Sequence, residues 1–459
     1  MAKEIKKKNQ TYRSTLRLIS KVFQPLSILH PREAHLQTSC APRLNMRWSL
    51  VALWPLPSLC LFLLVGACPQ ERHAAYDVDP GNSTKALFRR VRTGPGGGTD
   101  GSTVTTSQVF LIDSGDGGCA SQEALLDGWL NEATELHDAI TTAYADYQTN
   151  LGARILWFTF FGIMPGPDNS VDLNRQDTAN AWANIGDHLS RVTQFLSGSG
   201  LRDPQISGEN PRLFCSGDAG IPQDWGQPIK DKNGNEVVSE KDPDTGLPVA
   251  YLTLNEAFLA IKRQWADSYP FWMPAFNGYA FDNMDPTTMC PDKVIDADGK
   301  QGVRAASTTK PWPLKHVDKD DIEFDLGQSN RIVILCPRAF SPQVLHSAPS
   351  LAQAVSADRY PAAGSSDESI YLDRLVPQSA TLYHEIYHLT DNSNTPDTAY
   401  SLDKIIAAGC AAGAALATTS HNPESFIYMA MAAYMLLNAP EGKTPVMYNG
   451  AAPMAAPPR

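Results

Sequence analysis

Apolar residues recur at a helical period in two long stretches. Over residues 121–147, Leu125, Leu126, Trp129, Leu130, Ala133, Leu136 and Ile140 share one face. Over 178–197, Trp182, Ile185, Leu189, Val192 and Phe195 do the same. Weaker helical signals cover 253–266 and 376–390. A run of small residues, Ala407 to Ala415, predicts a helix over 402–417 that packs closely beneath the 376–390 helix. A last helix over 423–438 carries Phe426, Tyr428, Met429 and Tyr434. Arg331 to Leu335 is a short β-branched run and predicts a strand. Residues 216–248 and 291–325 are polar and rich in turn formers, such as Lys232-Asn233-Gly234-Asn235, and read as loop insertions. The pattern predicts an α+β body, mainly helical with a small β-sheet, over 108–438. The Pro/Ala/Gly-rich tail, 439–459, is expected to be disordered.

The chain has 459 residues, enough for two average domains or one large one. Its N-terminus reads differently from the rest. Residues 1–45 are basic, with no apolar period. From Met46 the chain runs through a short basic start, an apolar stretch broken by Pro55 and Pro57, and the small residues Val65-Gly66-Ala67. That order is the pattern of a secretory signal peptide over 46–67, with 1–45 a gene-model extension. A retained signal anchor is the competing reading. Residues 68–107, with Gly94-Pro95-Gly96-Gly97-Gly98 and the glycosylation sequon Asn82-Ser83-Thr84, form a flexible segment or short propeptide.

Loss of residues 1–67 removes ten basic and two acidic residues. It leaves 28 Lys/Arg against 47 Asp/Glu, a net charge of −19. So acidic a body excludes nucleic-acid and anionic-membrane binding as expected functions. It suits cationic substrates, or simply keeps a secreted monomer soluble. Six cysteines, Cys68, Cys119, Cys215, Cys290, Cys336 and Cys410, remain without any Cys-x-x-Cys pair. They read as disulfide formers, with the pairing open.

The densest chemistry is His384-Glu385-Ile386-Tyr387-His388. Two histidines four apart lie on one helix face and can share one zinc ion; Glu385 beside them can take a proton from the water that the ion activates. A third protein ligand must come from elsewhere. Asp397, nine residues after His388 and beyond a turn-forming stretch, is the candidate.

His-Glu-x-x-His followed by Asn394-Thr395-Pro396-Asp397-Thr398-Ala399-Tyr400-Ser401 resembles the signature of the deuterolysin-like (aspzincin) fungal zinc metalloendopeptidases, with Asn394 and Ser401 where that family has glycines. Ile332 to Pro337 and Asn422 to Tyr428 are similar to flanking stretches of the same family. The resemblance implies a zincin-like metalloprotease domain. One Zn²⁺ would be held by His384, His388 and Asp397, with Glu385 as general base and Tyr400 as oxyanion donor. It also implies a protein or peptide substrate, and Glu424 as a substrate-binding carboxylate favouring Lys next to the cut. The expected function is that of a secreted zinc endopeptidase without stable membrane association. The alternatives are a non-catalytic extracellular zinc-binding antigen or scavenger, and a domain in which the motif is accidental.

Two Asp-x-Gly triplets, at Asp113 and Asp244, suggest an aspartic-protease dyad only weakly, because the second lies in a turn-rich insertion. His137 and His188 are expected on helix surfaces, without a role.

Overall fold

A computed structural model of the chain describes residues 104–457, apart from 203–209, 260–262, 264–267, 296–300, 303, 310–330, 342–347, 392–394 and 412–413. The expected gene-model extension, the signal peptide and its sequon-bearing successor up to residue 103 lie outside the described residues, as do Asn394 and most of the 291–325 insertion.

The fold is mixed α+β, with long helices around small sheets. Helix α1 (Glu123–Ala145) buries Leu126, Trp129, Leu130, Ala133, Leu136 and Ile140, six of the seven residues on the predicted stripe; Leu125 is exposed. Helix α2 (Leu151–Phe161) is apolar almost all round, so its sequence has no clear period and no helix was expected there. It starts where the Asn150 side chain accepts from the Ala153 amide. It stops at Gly162, whose φ of 65° closes a left-handed C-cap. Helix α3 (Gln176–Leu196) follows the predicted second stripe.

The main sheet has the order β1 (Leu111–Ile112), β2 (Arg212–Phe214), β9 (Ile332–Leu335), β8 (Ala306–Thr309). The first two junctions are parallel and the β9–β8 junction is antiparallel, so β8 is an edge strand. Every residue of β9 is buried, as its unbroken apolar run requires.

The helix expected over 376–390 is α4 (Ala380–Thr390), starting after Pro377 because Val376 before the proline is extended. It is the central element of the fold, packed against α1, α3, the strands β8 and β9, and the last helix, α7 (Pro423–Leu437). Buried Arg331, just before β9, donates to the Leu389 carbonyl and so satisfies and charge-compensates the C-terminal end of α4.

Several expectations need correction. The small-residue stretch forms two helices, α5 (Leu402–Cys410) and α6 (Ala414–Thr419), and α5 packs on α2 rather than beneath α4. Gly409 permits this contact: a Cβ there would lie 2.5 Å from the Thr159 carbonyl oxygen. The 216–248 stretch does hold an exposed hairpin, β4 (Val238–Lys241) with β5 (Pro248–Tyr251), and a short strand, β3 (Ile221–Pro222). It also contributes Ile229 and Val237 to a second small core with Trp272, Tyr279 and Phe281 from the hairpin β6 (Tyr269–Met273)–β7 (Gly278–Asp282). The tail is folded. The strands β10 (Val446–Tyr448) and β11 (Pro453–Ala455) pair antiparallel, Tyr448 is fully buried, and its hydroxyl donates to the Ile370 carbonyl. Three consecutive apolar residues there outweigh a composition dominated by Pro, Ala and Gly.

The cysteines pair as Cys119–Cys215 and Cys290–Cys336, and Cys410 is disulfide-bonded as well. The first bond ties the segment after β1 to the end of β2, and the second ties the chain before β8 to the end of β9. Loop closure over 96 and 46 residues disfavours the unfolded chain by about 4.7 and about 4 kcal/mol respectively. Among the described residues no helix is long and apolar enough to cross a membrane.

His137 is not on a surface. It is buried, with Nδ1 3.0 Å from the Tyr383 hydroxyl and Nε2 2.8 Å from Thr193 Oγ1. Burial pushes its pKa down to about 3 from 6.5. The unfolded chain therefore binds the extra proton more readily, and stability is full above pH 6.5 and is lost as pH falls from there through about 3. Urea unfolding across this range should show the wild type losing about 1.4 kcal/mol per pH unit more than H137Q. Parallel pH slopes would contradict the assignment of that loss to His137.

Candidate metal centre

The two faces of α4 have different work. Tyr383 and Tyr387, four apart, point into the core, where their hydroxyls lie 3.0 Å from each other and Tyr387 stacks on Phe426. One position further on, His384 and His388 point away from that core toward the chain that follows the helix. That chain returns with Asp397 beneath both rings.

Three ligand atoms then converge. His384 Nε2 lies 3.1 Å from His388 Nε2, and each lies 3.1 Å from Asp397 Oδ1. The opposite ring nitrogens are engaged elsewhere: His384 Nδ1 is 3.0 Å from Glu424 Oε2, and His388 Nδ1 is 3.2 Å from Thr395 Oγ1. A carboxylate can only accept, so Glu424 fixes the Nδ1–H tautomer of neutral His384 and turns its Nε2 lone pair inward. Lone pairs converging on one point repel unless a positive centre sits among them. Tetrahedral zinc, with bonds of about 2.0–2.1 Å, sets adjacent ligand atoms about 3.3–3.4 Å apart, close to the observed triangle. The donor set thus fits a zinc ion.

A proton is the alternative positive centre. Burial alone would lower the His384 pKa, but Asp397 and Glu424 outweigh it and hold the imidazole well above its usual value. Reciprocally, burial would raise the Asp397 carboxyl, and His384 and His388 instead hold it well below the ordinary carboxylate range. A metal ion must displace that shared proton.

The remaining expected residues are brought to the same place. Glu385, next in sequence to His384, is buried, and its Oε2 accepts from Thr308 Oγ1 of edge strand β8 at 2.7 Å. Tyr400 lies face-on to the His384 ring, with centroids 6.0 Å apart, and its hydroxyl donates to Asp397. Burial and that carboxylate push the phenol well above its usual pKa, so it stays a donor. Glu424 is at the second position of α7, where the helix N-terminus stabilises its charge. Its carboxylate is turned to His384 Nδ1.

Sequence reasoning missed Thr308, Thr395 and Asn422. Buried Asn422 accepts from the Thr398 amide and donates to the Ala399 carbonyl, pinning the backbone just after Asp397. Asn-Pro before an apolar run was a helix-start signal, but its hold on the ligand loop is a tertiary contact with no local trace. The aspartic dyad does not form: Asp113 pairs with Arg212 at 2.9 Å, while Asp244 stands exposed in the turn between β4 and β5.

No family model matches the chain, and no solved structure matches it. A stretch of 129 residues, 28% of the chain, is 41% identical to a non-secreted LysM effector, LysM17, of Penicillium expansum. It covers 16% of that protein, so the chain spans about a sixth of the length of the curated relative it matches. This finding overturns the membership of the deuterolysin-like family implied by the motif, since the similarity points to a family of another kind and no peptidase family model matches.

Glu424→Gln keeps the shape but weakens the hold on His384 Nδ1–H. Zinc affinity, measured by isothermal titration, should fall about 10–100-fold; an unchanged affinity would remove Glu424 from the centre.

Proposed function

We propose that the chain is a secreted zinc-dependent endopeptidase, on the chemistry of its own site and independently of any family. The observation that carries this reading is the 3.1 Å triangle of His384 Nε2, His388 Nε2 and Asp397 Oδ1 next to a buried glutamate that is held by a hydroxyl. A zincin-like arrangement, with the His-Glu-x-x-His helix packed against a small sheet, is part of the same proposal.

Zinc bound there supplies a Lewis acid that polarises a peptide carbonyl and makes water acidic near neutral pH. The protein's own groups do the rest. Thr308 holds Glu385 Oε2, leaving Oε1 to accept a proton from the attacking water. The water oxygen bonds the carbonyl carbon, the carbon–nitrogen bond breaks, and Glu385 returns the proton to the leaving amine. Tyr400, kept as a neutral phenol, has one O–H, and it serves the oxyanion that forms in between by turning from Asp397 to it. Glu424 and Thr395 keep both imidazoles aimed while this happens.

Secretion is supported by the signal-peptide pattern over 46–67 and by disulfides, which persist in oxidising compartments. The matched relative carries the name non-secreted, and that describes the relative. In the second reading the chain binds zinc outside the cell without turning over peptide, and the name of the relative favours neither reading. Chelator-sensitive peptidase activity separates the two.

Glu385→Ala should retain one zinc in this centre and lose about 10²–10⁴-fold in kcat on an unstructured protein substrate. A fully active variant would overturn the peptidase reading. Thr308→Val should lower kcat about tenfold, for loss of one hydrogen bond to a charged group, with zinc content intact; unchanged kcat would leave Thr308 without a positioning role.

A further inference from the structure

His188 was expected on a helix surface, with no histidine partner at helical spacing. The fold buries it and brings it to His421 and Asp391 from two other elements. Its Nε2 is 3.1 Å from His421 Nδ1, and the rings meet edge to face. Its Nδ1 is buried and makes no hydrogen bond. The acidic oxygen facing that nitrogen, Asp391 Oδ1, stands 3.7 Å away.

That separation is too long for a hydrogen bond. It and the 3.1 Å contact involve opposite nitrogens of His188, and an imidazole gives an ion one of them, so binding must draw one partner in toward the spacing of about 3.3–3.6 Å between neighbouring ligands on a tetrahedral ion with bonds of about 2.0–2.2 Å. One ligand atom from each of His188, Asp391 and His421 lies within 4.8 Å of the other two. His421 is half-exposed and reaches in from the loop before α7, so water can complete a coordination shell from its side.

We propose that His188, Asp391 and His421 form a second site for a divalent transition metal ion, zinc in the first instance, separate from the His384–His388–Asp397 centre. Two imidazoles and one carboxylate are the donor types zinc takes. The surroundings set its strength. Arg191 Nε lies 4.0 Å from Asp391 Oδ1 but only 2.7 Å from Asp187 Oδ2, so Asp187 offsets much of its charge. The first centre has Asp397, Glu385 and Glu424 around it and no comparable cation in its described contacts, so the second site is the weaker of the two. Asn184 Nδ2, 3.0 Å from His421 Nε2, orients that ring from outside.

The location gives the ion a consequence. Asp391 caps α4 three residues after His388, and His421 precedes Asn422, which pins the Asp397 loop. An ion here clamps α3, the end of α4 and the start of α7, the elements that frame the first centre.

The competing account is a plain hydrogen-bond chain from Asn184 through His421 to His188, and it requires no metal. Equilibrium dialysis of the full chain against zinc, followed by metal analysis, separates them. H388A should retain one zinc equivalent and H388A/H421A none, and zinc should raise the unfolding temperature of H388A while magnesium does not. An H388A protein that holds no zinc and shows no thermal shift overturns the proposal, as does a double variant that holds as much as H388A. Equal zinc content in wild type and H388A, lost on adding H421A, would instead sink the first centre and leave the second standing.

Discussion

Two imidazole lone pairs and one carboxylate oxygen meet within 3.1 Å of one another at the centre of this protein. In a low-dielectric interior that arrangement is unfavourable unless something positive is shared among them. The surrounding structure sharpens the demand instead of relieving it. Glu424 accepts from His384 Nδ1–H and so turns the Nε2 lone pair inward, Thr395 engages the far side of His388, and Asn422 pins the backbone just after Asp397. The fold is organised to keep three acceptors together, and the functional reading follows from that.

The helix that carries the histidines is held on all sides. Its core face is anchored by the Tyr383–Tyr387 pair, His137 and Phe426, and its end is closed by Arg331. Its site face looks onto an edge strand whose Thr308 secures the glutamate. Rigid support of this kind is what lets ligand atoms stay at close spacing without collapsing onto other partners. The cost is the buried His137, which must remain neutral and so ties the stability of the fold to pH.

Much of this was legible in the sequence. The stripes of α1 and α3, the β9 strand and the helical spacing of His384 and His388 follow from local periodicity, and Asp397 follows from the need for a third ligand across a turn. Other parts were not. Helix α2 is apolar almost all round and so leaves no clear period, and the β10–β11 hairpin hides in a Pro/Ala-rich tail. His188 and His421 are 233 residues apart, and their meeting depends on how α3 packs against α6 and the segment before α7. The substrate role of Glu424 came from the family resemblance, and its contact with His384 across forty residues leaves no local trace in the sequence. The motif-based family assignment failed for a related reason: a short ligand pattern reports local metal chemistry and carries little information about ancestry.

The most direct test is a crystal structure of the zinc-equilibrated protein with anomalous scattering recorded at the zinc edge. The account predicts a strong anomalous peak among His384 Nε2, His388 Nε2 and Asp397 Oδ1, with the Glu385 carboxylate beside it. Density with no anomalous signal there, and with Asp397 turned away from both rings, would contradict it.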